Sequence, residues 1–394
     1  MYLKQSVSRR RFMGGAATAL GYFGLKPGGN LWAENLRASS SPTIQEALAE
    51  YDAFAKISFN ENPDGPSPKM MDAMNMAFKY SMRYGYPDGN IQGKIAEHHG
   101  VSPDNILMGA GSGEILEVVG LTYLEAGKKV VGVEPSYAQV YEHASGIKAD
   151  AIKLPLNEDY SQNIPAMIRA TNQNYRDVGF VYMCNPNNPT GLTESAREIR
   201  QLLDGIPEDM PVLIDEAYHH FVDHPDYATS VPYVLEGRKV IIARTFSKIY
   251  GMAGLRLGYA VAPAEMVREM DAYAVSSISA LAKWGGVAAL EDKEEERRRR
   301  ENTLALRRKT TAELRAYGYD VIPSETNFFM VHTGRPVEEV GAEFRRRGVL
   351  VGRPFPPMLE HLRVSVGTEE EMVRFMTAFR EIFPSIAAVG ASGD

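Results

Sequence analysis

The chemistry this chain can perform is concentrated at the ends of its apolar runs. Arg244-Thr245-Phe246-Ser247-Lys248 follows one such run. A lysine placed there is desolvated, loses basicity and becomes a nucleophile able to form a Schiff base. The hydroxyls of Thr245 and Ser247, with Arg256 eight residues beyond the lysine, could grip a phosphate. Taken alone the Ser-Lys pair is weak evidence, since surface lysines are far commoner. Val212-Leu213-Ile214-Asp215-Glu216-Ala217-Tyr218 is a second such end. Asp215 could keep a pyridinium nitrogen protonated so that the ring withdraws electrons, with Tyr218 in reach of the same ligand. The ordinary use of aspartate after a strand is to cap a helix.

Three further segments add to these. Asn185-Pro186-Asn187-Asn188-Pro189-Thr190-Gly191 follows another apolar run, and its prolines and glycine fix a loop that carries amide donors. Gly109-Ala110-Gly111-Ser112-Gly113-Glu114 lies between a strand and a helix, where backbone N–H groups can face an anion. With Glu134 placed 25 residues later, this segment also admits a nicotinamide dehydrogenase, although its glycine spacing is not G-x-G-x-x-G. Tyr137, in Pro135-Ser136-Tyr137, could stack on a flat ring. Arg363, in Leu362-Arg363-Val364-Ser365-Val366-Gly367, suits bidentate carboxylate binding or a surface ion pair. His219, His220 and His224 lie near Glu216 and Asp223, but zinc needs a third well-placed ligand, so no metal is expected.

The elements that must position these groups alternate. Strands are predicted at Asn105–Met108, Lys129–Val133, Ala149–Leu154, Val178–Met183, Val212–Ile214, Lys239–Ala243 and Leu257–Val261, with helical patterns such as Gly113–Glu125 and Glu194–Leu203 between them. This is the signature of an α/β fold with a mostly parallel sheet in a three-layer arrangement, and in such folds ligands gather at the carboxyl ends of the strands. From about residue 265 a long helical stretch runs to about Ala316. Its Glu294-Glu295-Glu296-Arg297-Arg298-Arg299-Arg300 run reads as a solvated face with Glu294–Arg298, Glu295–Arg299 and Glu296–Arg300 pairs. Strands at Thr326–Val331 and Leu362–Val366 and helices at Val337–Arg347 and Glu369–Ile382 imply a smaller α+β domain.

The 394 residues are 44% hydrophobic and 24% charged, as in a globular chain able to bury a large core. The single Cys184 excludes intrachain disulfides and multi-cysteine metal sites. A net charge of −7 argues against a nucleic-acid partner. That charge is uneven: residues 1–38 hold six bases and one acid, leaving −12 for the rest. Ser8-Arg9-Arg10-Arg11-Phe12-Met13 precedes a weakly apolar run from Gly14 to Leu25 that is too short to span a bilayer. It resembles a twin-arginine export signal, cleaved near Ala38–Ser41. The expectation is a folded protein passed to the twin-arginine machinery, exported to a bacterial periplasm, and free of the membrane after signal removal.

Together the segments resemble the fold-type I, pyridoxal-phosphate-dependent aminotransferases of class I/II, most closely the histidinol-phosphate aminotransferase branch. The matching strings are Phe59-Asn60-Glu61-Asn62-Pro63, Tyr84-Gly85-Tyr86-Pro87-Asp88, Gly109–Glu114, Asn185–Gly191, Asp215–Tyr218, Thr245–Lys248 with Arg256, and Leu362–Gly367, in the family's order. The resemblance implies a seven-stranded sheet in a large domain at 63–270, a small domain at 271–394, and an N-terminal arm at 39–62 joining the small domain. It implies a Schiff base of Lys248 with pyridoxal phosphate, Asp215 on the ring nitrogen, Asn188 and Tyr218 on the ring oxygen, and Tyr137 on the ring face. Ser112, Thr245, Ser247 and Arg256, with the Ala110–Gly111 backbone, would hold the phosphate. Tyr86 would reach the phosphate of the neighbouring subunit in a homodimer with shared active sites. Arg363 would take the substrate carboxylate, with Asn60, Asn327 and Arg353 on the substrate side. The reaction implied is ping-pong transamination between an α-amino acid and a 2-oxo acid. Decarboxylation or β-elimination on the same scaffold is the alternative. The branch usually has an aromatic residue after its Asn-Pro, where this chain has Asp64.

Overall fold

The computed structural model describes residues 43–124, 127–274 and 277–386. The expected export segment, 1–38, lies outside them. Its strands in chain order are β1 (Ala55–Lys56), β2 (Ile106–Gly109), β3 (Lys129–Glu134), β4 (Asp150–Pro155), β5 (Val178–Cys184), β6 (Val212–Asp215), β7 (Val240–Thr245), β8 (Gly258–Val261), β9 (Phe328–His332), β10 (Val349–Leu350) and β11 (His361–Ser365). Seven of these form one sheet in the order β2-β8-β7-β6-β5-β3-β4. Only β8 runs antiparallel to its neighbours. The mostly parallel sheet read from the sequence is therefore the one that forms.

The reason lies in the alternation within apolar strands. Val131, Val181, Ile214 and Ile242 join one core with helices Ile91–His99, Ile164–Gln173 and Ala196–Gly205. Their neighbours Val130, Phe180, Tyr182, Leu213 and Ile241 join a second core with helices Ser112–Tyr123, Gln139–Gly146 and Ala264–Asp271. A strand apolar on both faces needs a helical layer on each side, hence three layers. Cys184 is buried in the second core.

A further core packs Ala55 and Ile57 with Phe329, Phe344, Phe375 and Phe379. Here β9 pairs antiparallel with β11, and β1 pairs parallel with β10. Residues from Ala55 onward make one compact unit, and helix Ile44–Asp52 belongs to a separate one, opened by a capping box between Thr43 and Glu46. Among the described residues no helix is long and apolar enough to cross a membrane.

Two expectations are corrected. The long helical stretch is three helices, Ala264–Asp271, Ala280–Glu291 and Lys293–Ala316. Asp292 breaks the last two, with φ −98° and ψ 62°, because its buried carboxylate takes Lys69 Nζ at 2.9 Å and Ser67 Oγ at 3.2 Å. The Glu-Arg run is also not simply a solvated face. Of the three expected pairs, Glu295–Arg299 forms, at 2.7 Å, but Arg299 is only 2% exposed and its Nη1 reaches the carbonyl of Ile249. Arg298 turns to Glu295 and Asp64, Arg300 donates to the carbonyls of His220 and Val222, and Glu296 accepts from the Tyr250 hydroxyl.

Candidate active site

β5, β6 and β7 are parallel neighbours, so their carboxyl ends open on one edge of the sheet. Asp215 ends β6 and Thr245 ends β7, three residues before Lys248. Lys248 is partly buried; its Nζ donates to the Phe59 carbonyl at 3.2 Å and sits 5.5 Å from the centre of the Tyr218 ring. Burial lowers its pKa to about 8, with Arg363 reinforcing the shift and Glu61 and Asp215 opposing it. A workable fraction of the amine is thus neutral near neutrality, as a nucleophile requires.

That same shift costs the protein stability when Lys248 is protonated. The unfolded lysine keeps its proton up to about pH 10.5, so the cost is full below pH 8 and falls away between pH 8 and 10.5. Lys248→Met is therefore expected to stabilise the cofactor-free protein by up to about 3 kcal/mol at pH 7. Chemical denaturation at pH 7 and pH 10 should show that advantage shrinking; a gain independent of pH would refute the assignment.

Asp215 is buried and its Oδ1 accepts from the Ala217 N–H at 3.1 Å. Burial pushes its pKa up to about 6, against the pull of that hydrogen bond and of Lys248. The Tyr218 hydroxyl accepts from Asn60 Nδ2 at 3.0 Å and lies 3.5 Å from Asn188 Nδ2. Burial raises its pKa well above the ordinary value. Asn188 Oδ1 in turn accepts from Arg363 Nη1 at 2.7 Å, while Arg363 Nη2 donates to the Ser58 carbonyl at 2.7 Å. Arg363 Nε is buried without a partner. Asn60, Tyr218, Asn188 and Arg363 thus form one polar chain beside Lys248.

The backbone near Asn60 is built for this. Asn60 adopts φ 55°, in the left-handed region that asparagine tolerates. Its N–H donates to Ser365 Oγ at 2.8 Å, and its Oδ1 accepts from the same hydroxyl at 2.9 Å. Asn327 Nδ2 donates to the carbonyls of Asn60 and Glu61 at 3.0 and 3.3 Å, and its Oδ1 is buried without a partner. Loop 185–191 is held to the next strand end by Asn187, which accepts from the Ser136 hydroxyl at 2.9 Å and donates to the Pro135 carbonyl at 3.2 Å. Tyr137 follows directly. As a residue it is 37% exposed. Burial pushes its hydroxyl up to about 12, with Asp215 adding to the shift and Arg256 opposing it.

At the other end of the site, helix Ser112–Tyr123 begins after Gly111 with no side-chain cap. Uncapped N–H groups at a helix start suit an anion. Thr245 Oγ1 donates to Ser247 Oγ at 2.9 Å and accepts the Ser247 N–H at 3.1 Å. Arg256, at φ 57°, donates to the carbonyls of Ala253 and Ala110 at 3.0 and 3.1 Å. The Ala110 and Gly111 amides are engaged inside the turn, by Glu114 Oε2 at 2.5 Å and the Gly109 carbonyl at 2.9 Å. Gly111 lies at φ 83°, and a Cβ there would stand 2.2 Å from Arg256 Nη2. A Cβ on Gly258 would meet the Ser112 nitrogen at 2.4 Å. Gly111→Ala is therefore expected to weaken binding of a phosphate ligand by about tenfold or more through displacement of Arg256, a loss that fluorescence titration would read. Unchanged affinity would refute the cradle.

Two further expected residues make contacts of their own. The Tyr86 hydroxyl donates to the Ile278 carbonyl at 3.0 Å, and its ring stacks near Tyr80. Arg353 is exposed and donates to the Pro354 carbonyl at 3.1 Å. Among the described residues no cluster of three or more histidine, cysteine or acidic side chains could hold a metal. The His219 and His220 ring centres lie 3.6 Å apart with the planes tilted by 41°, and His219 contacts Arg244. Burial lowers the pKa of both.

What the sequence reading missed is the pair beneath these histidines. Glu216 and Arg244 are buried, with Nη2–Oε2 at 2.5 Å and Nε–Oε2 at 3.1 Å. Thr229 and the Ser230 amide complete the carboxylate's shell. Adjacency to Asp215 and Thr245 was the available signal, because an acid and a base next to site residues on neighbouring strands face the opposite side of the sheet.

The chain matches the family described as aminotransferase class I and II over residues 54–379. It is 37% identical over 347 residues to histidinol-phosphate aminotransferase of Symbiobacterium thermophilum, covering 86% of this chain and 92% of that one. It is 35% identical to the enzyme of the same name from Moorella thermoacetica, covering 86% and 88%. A provisionally assigned histidinol-phosphate aminotransferase structure from Erwinia carotovora atroseptica superposes with a TM-score of 0.79 at 29% identity, covering 88% of this chain and 99% of that one. The Sinorhizobium meliloti enzyme, solved with pyridoxal-5'-phosphate, shares the fold with a TM-score of 0.77 at 24% identity, covering 91% and 98%.

Proposed function

The chain belongs to the class I and II aminotransferase family, and we propose that it moves the amino group of a histidinol-phosphate-like donor to a 2-oxo acid, as an exported homodimer. The enzyme is an aminotransferase that works with pyridoxal phosphate. Its residues fit that cofactor. The Gly111 and Gly258 cradle that a Cβ would fill, the uncapped helix start and Arg256 suit the phosphate. The polar chain from Asn60 to Arg363 suits a ring oxygen and a substrate anion.

When bound, pyridoxal phosphate supplies an aldehyde carbon and a protonated ring that takes up the electron pair left at the substrate Cα. Lys248 Nζ would hold the cofactor's aldehyde carbon and carry the proton from the substrate Cα to that carbon. Asp215 holds the proton on the ring nitrogen. Its pKa near 6 leaves it anionic at neutral pH, as that role requires. Asn188 and Tyr218 orient the ring oxygen, and Arg363 fixes the substrate so that the Cα–H bond faces the lysine.

One observation carries the substrate reading: Arg363 is buried, has no carboxylate partner among the described residues, and leaves its Nε unsatisfied. A buried cation in that condition calls for an anion from outside the chain. Asp64 does not oppose one as a bare charge, because Arg298 lies 3.1 Å from it. Single-turnover conversion of the loaded enzyme by histidinol phosphate, histidine and glutamate tests the reading. Loss of the starting absorbance with no oxo product from any of them would sink it.

Exposed Phe78, Met82 and Tyr84 beside Tyr86 support the homodimer, since clustered exposed apolar side chains mark protein interfaces. The Arg9-Arg10-Arg11-Phe12-Met13 string supports export. Replacing Arg9 and Arg10 by lysine should trap the protein in the cytoplasm; unaffected export would refute that part.

A further inference from the structure

The segment after β4 reaches the strand that carries Arg363. The Tyr160 hydroxyl lies 3.2 Å from His361 Nε2, and the two rings meet edge to face with their centres 5.5 Å apart. Tyr160 also packs against Ile322, Met330, Phe355 and Met358. His361 opens β11, and Arg363, two residues on, stands on the same side of the strand. Burial and the neighbouring His332 lower the His361 pKa, against Glu360 and Asp320, so the ring is neutral at pH 7. Its Nδ1 is buried without a partner, so among the described residues Tyr160 holds the ring's one hydrogen bond.

Tyr160 sits at φ 68°, a left-handed backbone that a bulky residue rarely adopts. Such a conformation persists only where its surroundings over-determine it. Here the Tyr160 N–H donates to the Asn157 carbonyl and the Asn157 N–H to the Ser161 carbonyl, both at 2.9 Å. Asp159 Oδ1 accepts the Ser161 N–H at 3.0 Å and the Ser161 hydroxyl at 2.6 Å. The next residue, Gln162, is anchored on both sides of the Asn188 loop: its N–H donates to Glu194 Oε1 at 2.8 Å and its Nε2 to the Cys184 carbonyl at 2.9 Å. β11 is thus tied to that loop twice. One tie is direct, from Arg363 to Asn188. The other runs through Gln162, Tyr160 and His361 and leaves the guanidinium free of it. An incoming anion competes with Asn188 and the Ser58 carbonyl for Arg363, so it loosens the first tie and spares the second.

We propose that Tyr160 is a positioning residue for the substrate anion: through His361 it keeps β11 in place when Arg363 exchanges Asn188 for the anion. The proposal rests on the reading that Arg363 binds that anion. Without the strap, β11 is held to the loop only by the bond that the anion must displace, so the empty site is favoured over the filled one. Tyr160 touches neither the anion nor a reacting atom, and its effect is on binding, not on the chemical step.

The test measures propyl phosphate, a non-reacting single anion, by calorimetry on the cofactor-loaded enzyme, and KM and kcat with histidinol phosphate. Tyr160→Phe and His361→Phe each keep a ring and remove one side of the hydrogen bond. Each is expected to weaken propyl phosphate, and to raise KM, by about fivefold with kcat at saturation unchanged. The double variant should lose no more than either single one, because the tie is already cut. A residue that only helped the chain fold would lower the thermal midpoint and leave propyl phosphate binding and KM in place. Parent-like binding in either single variant, or losses that multiply in the double variant, overturns the proposal. Arg363→Lys tests the underlying reading separately. Weaker propyl phosphate binding there supports it; binding equal to the parent's removes it, and this proposal with it.

Discussion

Lys248→Ala is expected to lower turnover by at least about a thousandfold, because in the proposed reading the nucleophile and the proton carrier are the same atom. No neighbouring group can replace it. The Tyr218 hydroxyl is held by Asn60 and burial raises its pKa further, so it cannot serve as a base near neutrality. Asp215 is at the ring-nitrogen end of the site in the reading above. The proposed phosphate cradle around Gly111, Ser112 and Arg256 is untouched by the change, so the variant should still bind pyridoxal phosphate, now without a covalent link. Single-turnover kinetics with cofactor-saturated protein would check this. A variant within about tenfold of the parent would mean that another base carries the proton.

Arg244→Met is expected to give the largest stability loss in the chain, about 3–5 kcal/mol, because it strands the fully buried Glu216 carboxylate. The carboxylate would keep only Thr229 and the Ser230 amide. Glu216→Gln in the same chain removes the stranded charge and should recover much of the loss. Denaturant unfolding of the two single variants and the double variant measures the coupling. If the single and double variants are equally stable, the pair is not what holds the ends of β6 and β7 together.

Much of the fold could be read before any coordinates. β5, with Val178-Gly179-Phe180-Val181-Tyr182-Met183, is apolar at every position but the glycine, and only a strand covered on both faces reads that way. The site residues follow because they end such strands. What escaped depended on partners far away in the chain. Asp292 breaks a helix only because Ser67 and Lys69 arrive from more than two hundred residues earlier. Arg299 and Arg300 look like surface charges until loop residues at 220, 222 and 249 supply their acceptors. Tyr160 reads as one more residue of a polar turn, and its reach to His361 on β11 is a tertiary fact.

The division of labour across the sheet has a consequence for how this chain tolerates change in length. On β6 Asp215, the proposed ring-nitrogen acid, is followed at once by Glu216, which pairs with Arg244, and on β7 Arg244 precedes Thr245, proposed for the phosphate side. Because successive side chains face opposite ways, deleting one residue inside β6 would turn Asp215 toward Arg244 and aim Glu216 at the cofactor. The cofactor-facing position would still hold a carboxylate, but the position that Glu216 occupies beside Arg244 would hold Ala217. In the proposed reading the ring nitrogen would then meet Glu216, longer by one methylene, in place of Asp215. These two strands should therefore accept substitutions far more readily than single-residue insertions or deletions.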